Sequence, residues 1–234
     1  LGNVVSNTTI RDFYNYGVYL LYQKSGSVSS CDISRPTRIN STTAAGVILN
    51  TGCLGMNIEN CRIHNLFDAM LTNTSACYPL YDLADGTAAF PNRMVNNLIY
   101  NTNGEGIIYG IYNTGADYLN AYHNTISLDH VASASSSVTY GFYQTTLATG
   151  INFRNNIISI KRGGTGAKVG LYFNTTTSTI VSNNNAVYLG SAGTGTQNYG
   201  SFGATGFANL SAWQTANGGI YDAGSVQADP LFVS

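Results

Sequence analysis

Two short signatures recur along the chain in a fixed order, about 30 residues per cycle, and a period of that kind allows few folds other than a solenoid. The first is a small residue, then an apolar one, then tyrosine. It reads Gly17-Val18-Tyr19, Gly110-Ile111-Tyr112, Gly141-Phe142-Tyr143 and Gly170-Leu171-Tyr172, with looser copies at Gly46-Val47-Ile48, Ala69-Met70-Leu71 and Gly200-Ser201-Phe202. Successive copies stand 29, 23, 41, 31, 29 and 30 residues apart. The second places Asn or Cys two positions before an aliphatic residue: Cys31-Asp32-Ile33, Cys61-Arg62-Ile63, Asn97-Leu98-Ile99, Asn124-Thr125-Ile126, Asn156-Ile157-Ile158 and Asn185-Ala186-Val187.

Within each cycle the apolar runs are short, alternate with polar residues and favour Ile, Val, Tyr and Thr, which is the pattern of strands. No amphipathic stripe of helical period survives, which weighs against leucine-rich and α-solenoid architectures. The expected fold is all-β: a right-handed parallel β-helix of about seven coils, with coils over residues 1–190 and a final coil and cap over 191–234. In such a coil equivalent residues stack ~4.8 Å apart. Asn97, Asn124, Asn156 and Asn185 then form an inward ladder of amides, each bonded to the next. Asn209 is placed to cap a short helix running to about Ala216, stopped at Asn217-Gly218-Gly219, so that Trp213 lies over the last coil. No such cap precedes Asn3-Val4-Val5-Ser6, and further β-helix of the same parent protein is expected before it.

Charge narrows the partners. Only 9% of residues are charged, and the 10 basic and 11 acidic side chains leave a net charge of −1. A chain with no basic field has nothing to neutralise nucleic-acid phosphates or anionic lipid, and no apolar run reaches the ~18 residues of a membrane span. The missing charge is replaced by Asn, Thr, Ser, Gly and 17 Tyr, a surface suited to carbohydrate and to an extracellular or cell-surface setting.

At the closing segment the chain resembles right-handed parallel β-helix proteins of the pectate-lyase-like superfamily, and most of all the large secreted or surface β-helix proteins of Bacteroidota exported by a type 9 system. The residues that carry this are Leu210-Ser211-Ala212-Trp213-Gln214, Asp222-Ala223-Gly224-Ser225-Val226 and Asp229-Pro230-Leu231-Phe232. The motifs of polygalacturonase-like members are absent, and Arg62-Ile63-His64 is only a superficial echo of one. No column of acidic residues for calcium is visible.

The candidate sites are therefore non-catalytic. Tyr19, Tyr112, Tyr143 and Tyr172 share one register, and with Val18, Ile111, Phe142 and Leu171 turned inward they either pack on one another and stiffen the sheet or form an outward platform for sugar rings. Tyr78 and Tyr81 fall in the longest interval, where an insertion spanning Cys77–Gly86 with Asp82 and Asp85 is expected to project as a loop. Cys53 and Cys77 stand near one another on successive coils as candidates for a disulfide; Cys31 and Cys61 read as buried free thiols. The charged groups Arg35, Arg38, His64, Asp68, Glu105, Asp129, His130, Lys161 and Arg162 emerge on successive coils as exposed turn residues, and His123 as a turn residue beside the ladder. No metal or cofactor is expected. The resulting expectation is a structural or adhesive segment of a large surface protein, with polysaccharide as partner. A polysaccharide lyase or glycoside hydrolase is the alternative, and a phage-type fibre or tailspike segment the third.

Overall fold

The computed structural model describes residues 2–39 and 42–232, and within them the chain winds into a parallel β-solenoid of three sheets. The first sheet stacks Val4–Ser6, Ser27–Ser29, Asn57–Glu59, Asn92–Val95, Leu119–Tyr122, Ile151–Arg154 and Ile180–Asn183. The second stacks Thr9–Arg11, Asp32–Ser34, Arg62–His64, Leu98–Tyr100, Thr125–Leu128, Ile157–Ile160 and Ala186–Leu189. The third stacks Tyr16–Leu20, Ala44–Leu49, Cys77–Asp82, Ile108–Asn113, Thr139–Gln144, Lys168–Phe173 and Gln197–Phe202, with Thr205–Phe207 added antiparallel at its end.

The turn between the first two sheets takes two residues at every level, and the first of them is left-handed each time: Asn7, Ser30, Asn60, Asn96, His123, Asn155 and Asn184 have φ between 50° and 57°. Asn tolerates that region better than most residues. From Cys31 onward the second turn residue points inward. Here the amides of Asn97, Asn124 and Asn156 donate through Nδ2 to the Oδ1 of Asn124, Asn156 and Asn185, at 3.0, 3.0 and 3.3 Å. The same Oδ1 atoms accept the backbone N–H groups of Asn97, Asn124 and Asn156 at 3.0, 2.9 and 3.0 Å. Each Nδ2 also reaches a carbonyl of the coil behind, so these buried amides meet both of their needs. Below Asn97 the column continues as sulfur: the Cys61 thiol lies 3.5 Å from the Val28 carbonyl and 3.3 Å from that of Glu59.

The core is a set of columns. Ile33, Ile63, Ile99, Ile126, Ile158 and Val187 line the second sheet, facing Val47, Leu80, Ile111, Phe142 and Leu171 on the third. Gly110 marks one of the levels where those sheets press close, since a Cβ there would lie 2.5 Å from the Gly141 carbonyl oxygen and 2.7 Å from Ile126 Cγ2. Ala121 leaves room between Met94 and Phe153 on the first sheet, whose ring meets Phe142 at 4.5 Å.

At the last level the inward positions change chemistry. Gly200 follows Leu171, and Ser182 follows Phe153. The space is filled from above by Leu210–Ala216, a helix whose N-cap Asn209 accepts the Ala212 N–H at 2.8 Å. Trp213 is fully buried over Gly200, against Phe173 and Phe202 at 5.5 and 4.6 Å, and its indole N–H donates to Asp222 at 2.9 Å. Asp222 also accepts from Ser182, Ser225 and the Asn185 amide, while Ser225 accepts the Asn185 backbone N–H, so the asparagine ladder ends on the cap. No helix among the described residues is long and apolar enough to cross a membrane.

Candidate functional site

Strand register corrects the placing of one cycle. Gly46 aligns with Pro79 and Ile48 with Tyr81, so the copy of the first signature on that level is Pro79-Leu80-Tyr81, not Ala69-Met70-Leu71. Asp68–Met70 is instead a short 3-10 turn. Cys77–Asp82 is thus a regular strand of the third sheet rather than a projecting loop, and the 23- and 41-residue intervals become 33 and 31. Tyr78 and Tyr81 therefore join the tyrosine face.

On that face each third-sheet strand turns two positions outward, three apart in sequence because the two consecutive residues between them, such as Gly110 and Ile111, both point inward; where tyrosines stand there they reach solvent, whereas Ala45, Ile48 and Val169 are covered. One outward column holds Tyr16, Ala45, Tyr78, Tyr109, Tyr140 and Val169; the other holds Tyr19, Ile48, Tyr81, Tyr112, Tyr143 and Tyr172. The first column, with Tyr109 and Tyr140, is hidden from a strict period-two reading. Its signal is Tyr-Gly-x-Tyr, at 16–19, 109–112 and 140–143.

The rings stack along the solenoid axis: Tyr78 on Tyr109 at 5.0 Å and 6°, Tyr109 on Tyr140 at 5.3 Å and 7°, Tyr112 on Tyr143 at 5.3 Å and 19°, Tyr143 on Tyr172 at 4.3 Å and 9°. Across the columns most pairs meet tilted or edge-on, as Tyr140 and Tyr143 do at 4.4 Å and 62°, while at the first level of the stack Tyr78 stacks on Tyr81 at 4.9 Å and 20° and, within its column, Tyr81 meets Tyr112 edge-on at 4.8 Å and 67°. Their faces are spent on one another, and what reaches solvent is a double file of ring edges and hydroxyls. Burial among these neighbours raises the phenols, Tyr81 to about 12, so the hydroxyls keep their protons at physiological pH. Tyr19 stands apart, 45% exposed, with Asn50 Nδ2 donating to its hydroxyl; beside it Ala45 and Ile48 interrupt the stack and floor a depression of about 290 Å³.

The charged groups do not converge. Arg35 and Arg162 are fully buried rather than exposed turn residues; they bond inner loop carbonyls, Arg35 that of Tyr14 at 3.0 Å and Arg162 those of Gly104 and Gly106 at 2.8 and 2.9 Å. His64 pairs with Asp32 at 3.0 Å and stacks on Tyr100, Glu105 accepts from Ser133, and Lys161 meets Asp229 at 3.4 Å. A groove of about 540 Å³ on the second sheet, between Leu98, Thr125, Ser127 and Phe232, lies beside this last pair.

All four cysteines are free and buried. Cys77 begins its strand whereas Cys53 follows the far end of the strand below, so the two are separated by most of a six-residue strand, about 20 Å, and are not joined. Burial pushes the Cys61 and Cys77 thiols up to about 11 and about 12.

Asp82, expected in a surface loop, points inward and is fully buried in register with Asn113. Burial raises its carboxyl to about 8, and its Oδ2 has no hydrogen-bond partner among the described residues. A carboxyl raised on folding contributes most below its unfolded value near 4, and stability falls as pH climbs from about 4 to about 8, by up to ~1.4 kcal/mol per unit. Asp82→Asn is expected to raise the melting temperature at pH 8 and leave it unchanged below pH 4; equal melts of both proteins at pH 8 would contradict this placement. No family model, no curated protein and no solved structure matches this chain.

Proposed function

We propose that this chain is a non-catalytic, rigid segment of a large secreted or cell-surface protein, which contacts glycans along the outer face of its third sheet. The observation that carries this reading is the double file of tyrosines, a continuous hydroxyl-bearing surface on a chain with little charge. Aromatic side chains with a polar tip suit a partner that is part apolar and part hydroxyl. The closing pattern of Trp213, Asp222, Gly224, Ser225 and Asp229-Pro230-Leu231-Phe232 supports placing the chain with the type 9 exported β-helix proteins of Bacteroidota within the pectate-lyase-like superfamily. Its physical purpose here is to close the solenoid.

A glycan panel probed with the folded chain is expected to give binding, while reducing-sugar and 235-nm lyase assays on the same polysaccharides stay at background. Turnover of any of them would overturn the non-catalytic reading. A panel without a single binder would overturn the glycan contact.

A further inference from the structure

The tyrosine face has a period, a polarity and a charge, and together they restrict the partner more narrowly than "glycan". Ring centroids repeat at 5.0 to 5.3 Å along the column Tyr78, Tyr109, Tyr140. The contiguous stack covers four levels, at Tyr78/Tyr81, Tyr109/Tyr112, Tyr140/Tyr143 and Tyr172. The hydroxyls of Tyr78, Tyr81, Tyr109 and Tyr112 make no hydrogen bond to the protein among the described residues, and they are not enclosed. They are donors and acceptors left to solvent.

Charge is absent from this face. The ionisable side chains of the strands beneath it other than tyrosine, Cys77, Asp82 and Lys168, are all buried, Lys168 donating to the Gly166 carbonyl at 2.6 Å. An anionic sugar would therefore find no cation there, and would have to shed water from its carboxylates without compensation. A neutral sugar meets hydroxyls that match its own and ring edges that carry the positive end of the aromatic quadrupole, to which sugar oxygens are attracted.

Resting on the glycan reading above, we infer that the face binds a neutral, extended, equatorially linked polysaccharide lying parallel to the solenoid axis, with one sugar over each tyrosine level. Such a chain advances by about 5 Å per sugar, close to the ~4.8 Å between parallel strands, so a contact made at one level repeats at the next. A helical glucan, whose sugars turn away from the surface, keeps this register for only one or two residues. The four contiguous levels set the length of the footprint.

Calorimetric titration of the folded chain with defined oligosaccharides tests this. Cellohexaose or xylohexaose, neutral and extended, is expected to bind, with maltohexaose and hexagalacturonate at least tenfold weaker. Affinity should climb from disaccharide to tetrasaccharide and then level off. The paired substitutions Tyr109→Phe and Tyr112→Phe keep the ring stack and remove two hydroxyls, and should weaken binding at least threefold with an unchanged melt. Tighter binding of maltohexaose or hexagalacturonate, no gain beyond the disaccharide, or full affinity in the double phenylalanine variant would overturn the register while leaving the glycan face in place. If none of the four hexasaccharides binds and a wider glycan panel is also silent, the glycan reading falls with it.

Discussion

Trp213→Ala is expected to cost about 3–5 kcal/mol, the range for truncating a buried large aromatic without collapse of the space it leaves. Collapse does not help at this position, because the floor beneath the indole is Gly200 and the neighbouring inward residue is Ser182, neither of which can reach up to refill it. The rings of Phe173, Phe202 and Tyr221 lose a shared partner, and Asp222 loses one of its donors while remaining buried. Denaturant unfolding followed by tryptophan-independent far-ultraviolet circular dichroism measures the loss. A variant within 1 kcal/mol of the parent, the scale of a surface substitution, would show that the helix is an ornament and not the lid of the core.

Asn156→Leu should be comparably harmful although leucine is the more hydrophobic residue. Asn156 sits in the middle of the ladder, where its Oδ1 accepts both the backbone N–H and the side-chain amide of Asn124, and its Nδ2 donates to the Ala121 carbonyl at 3.0 Å. Leucine leaves the Asn124 N–H and the Ala121 carbonyl buried without partners. At ~1–3 kcal/mol for each such group the loss is about 2–6 kcal/mol, more than the added apolar contact returns. Asn156→Asp is the useful companion, since it keeps an acceptor for Asn124 while removing the donor. Chemical melts of the three proteins should rank parent, then aspartate, then leucine or the two variants together; leucine as stable as the parent would refute the hydrogen-bonded column.

How much of this was legible beforehand follows from which residues repeat. The two-residue turn and its inward neighbour recur at every level with little change of chemistry, so their order along the chain reveals the solenoid. The third-sheet strand at Cys77–Asp82 is harder to place, because Pro79 stands where other levels have Gly46, Gly110 or Gly141 and erases the first letter of the signature. Leu80-Tyr81 preserves the other two, and the strand register restores the level. The second tyrosine column escapes a period-two reading because Gly110 and Ile111 both turn inward, a local break in alternation that recurs at Pro79-Leu80 and Gly141-Phe142. Asp82 misleads for a related reason: its type favours the surface, but its register beside Asn113 carries it inside. Arg35 and Arg162 likewise read as exposed, and are held inside by loop carbonyls that no sequence pattern announces.

The most direct test of the tyrosine face is a single preparation of the Tyr112→Ala, Tyr143→Ala, Tyr172→Ala triple variant, with its melt and its glycan binding measured side by side. The core beneath these rings, Ile111, Phe142 and Leu171, is fully buried and untouched. These half-buried rings make eight ring contacts, and aromatic pairs across strands contribute ~0.2–1 kcal/mol each, so the account predicts a loss of about 2–8 kcal/mol, a native circular dichroism spectrum in the absence of denaturant and no remaining affinity for the sugars the parent binds. A folded triple variant that binds every one of those sugars as tightly as the parent would contradict it.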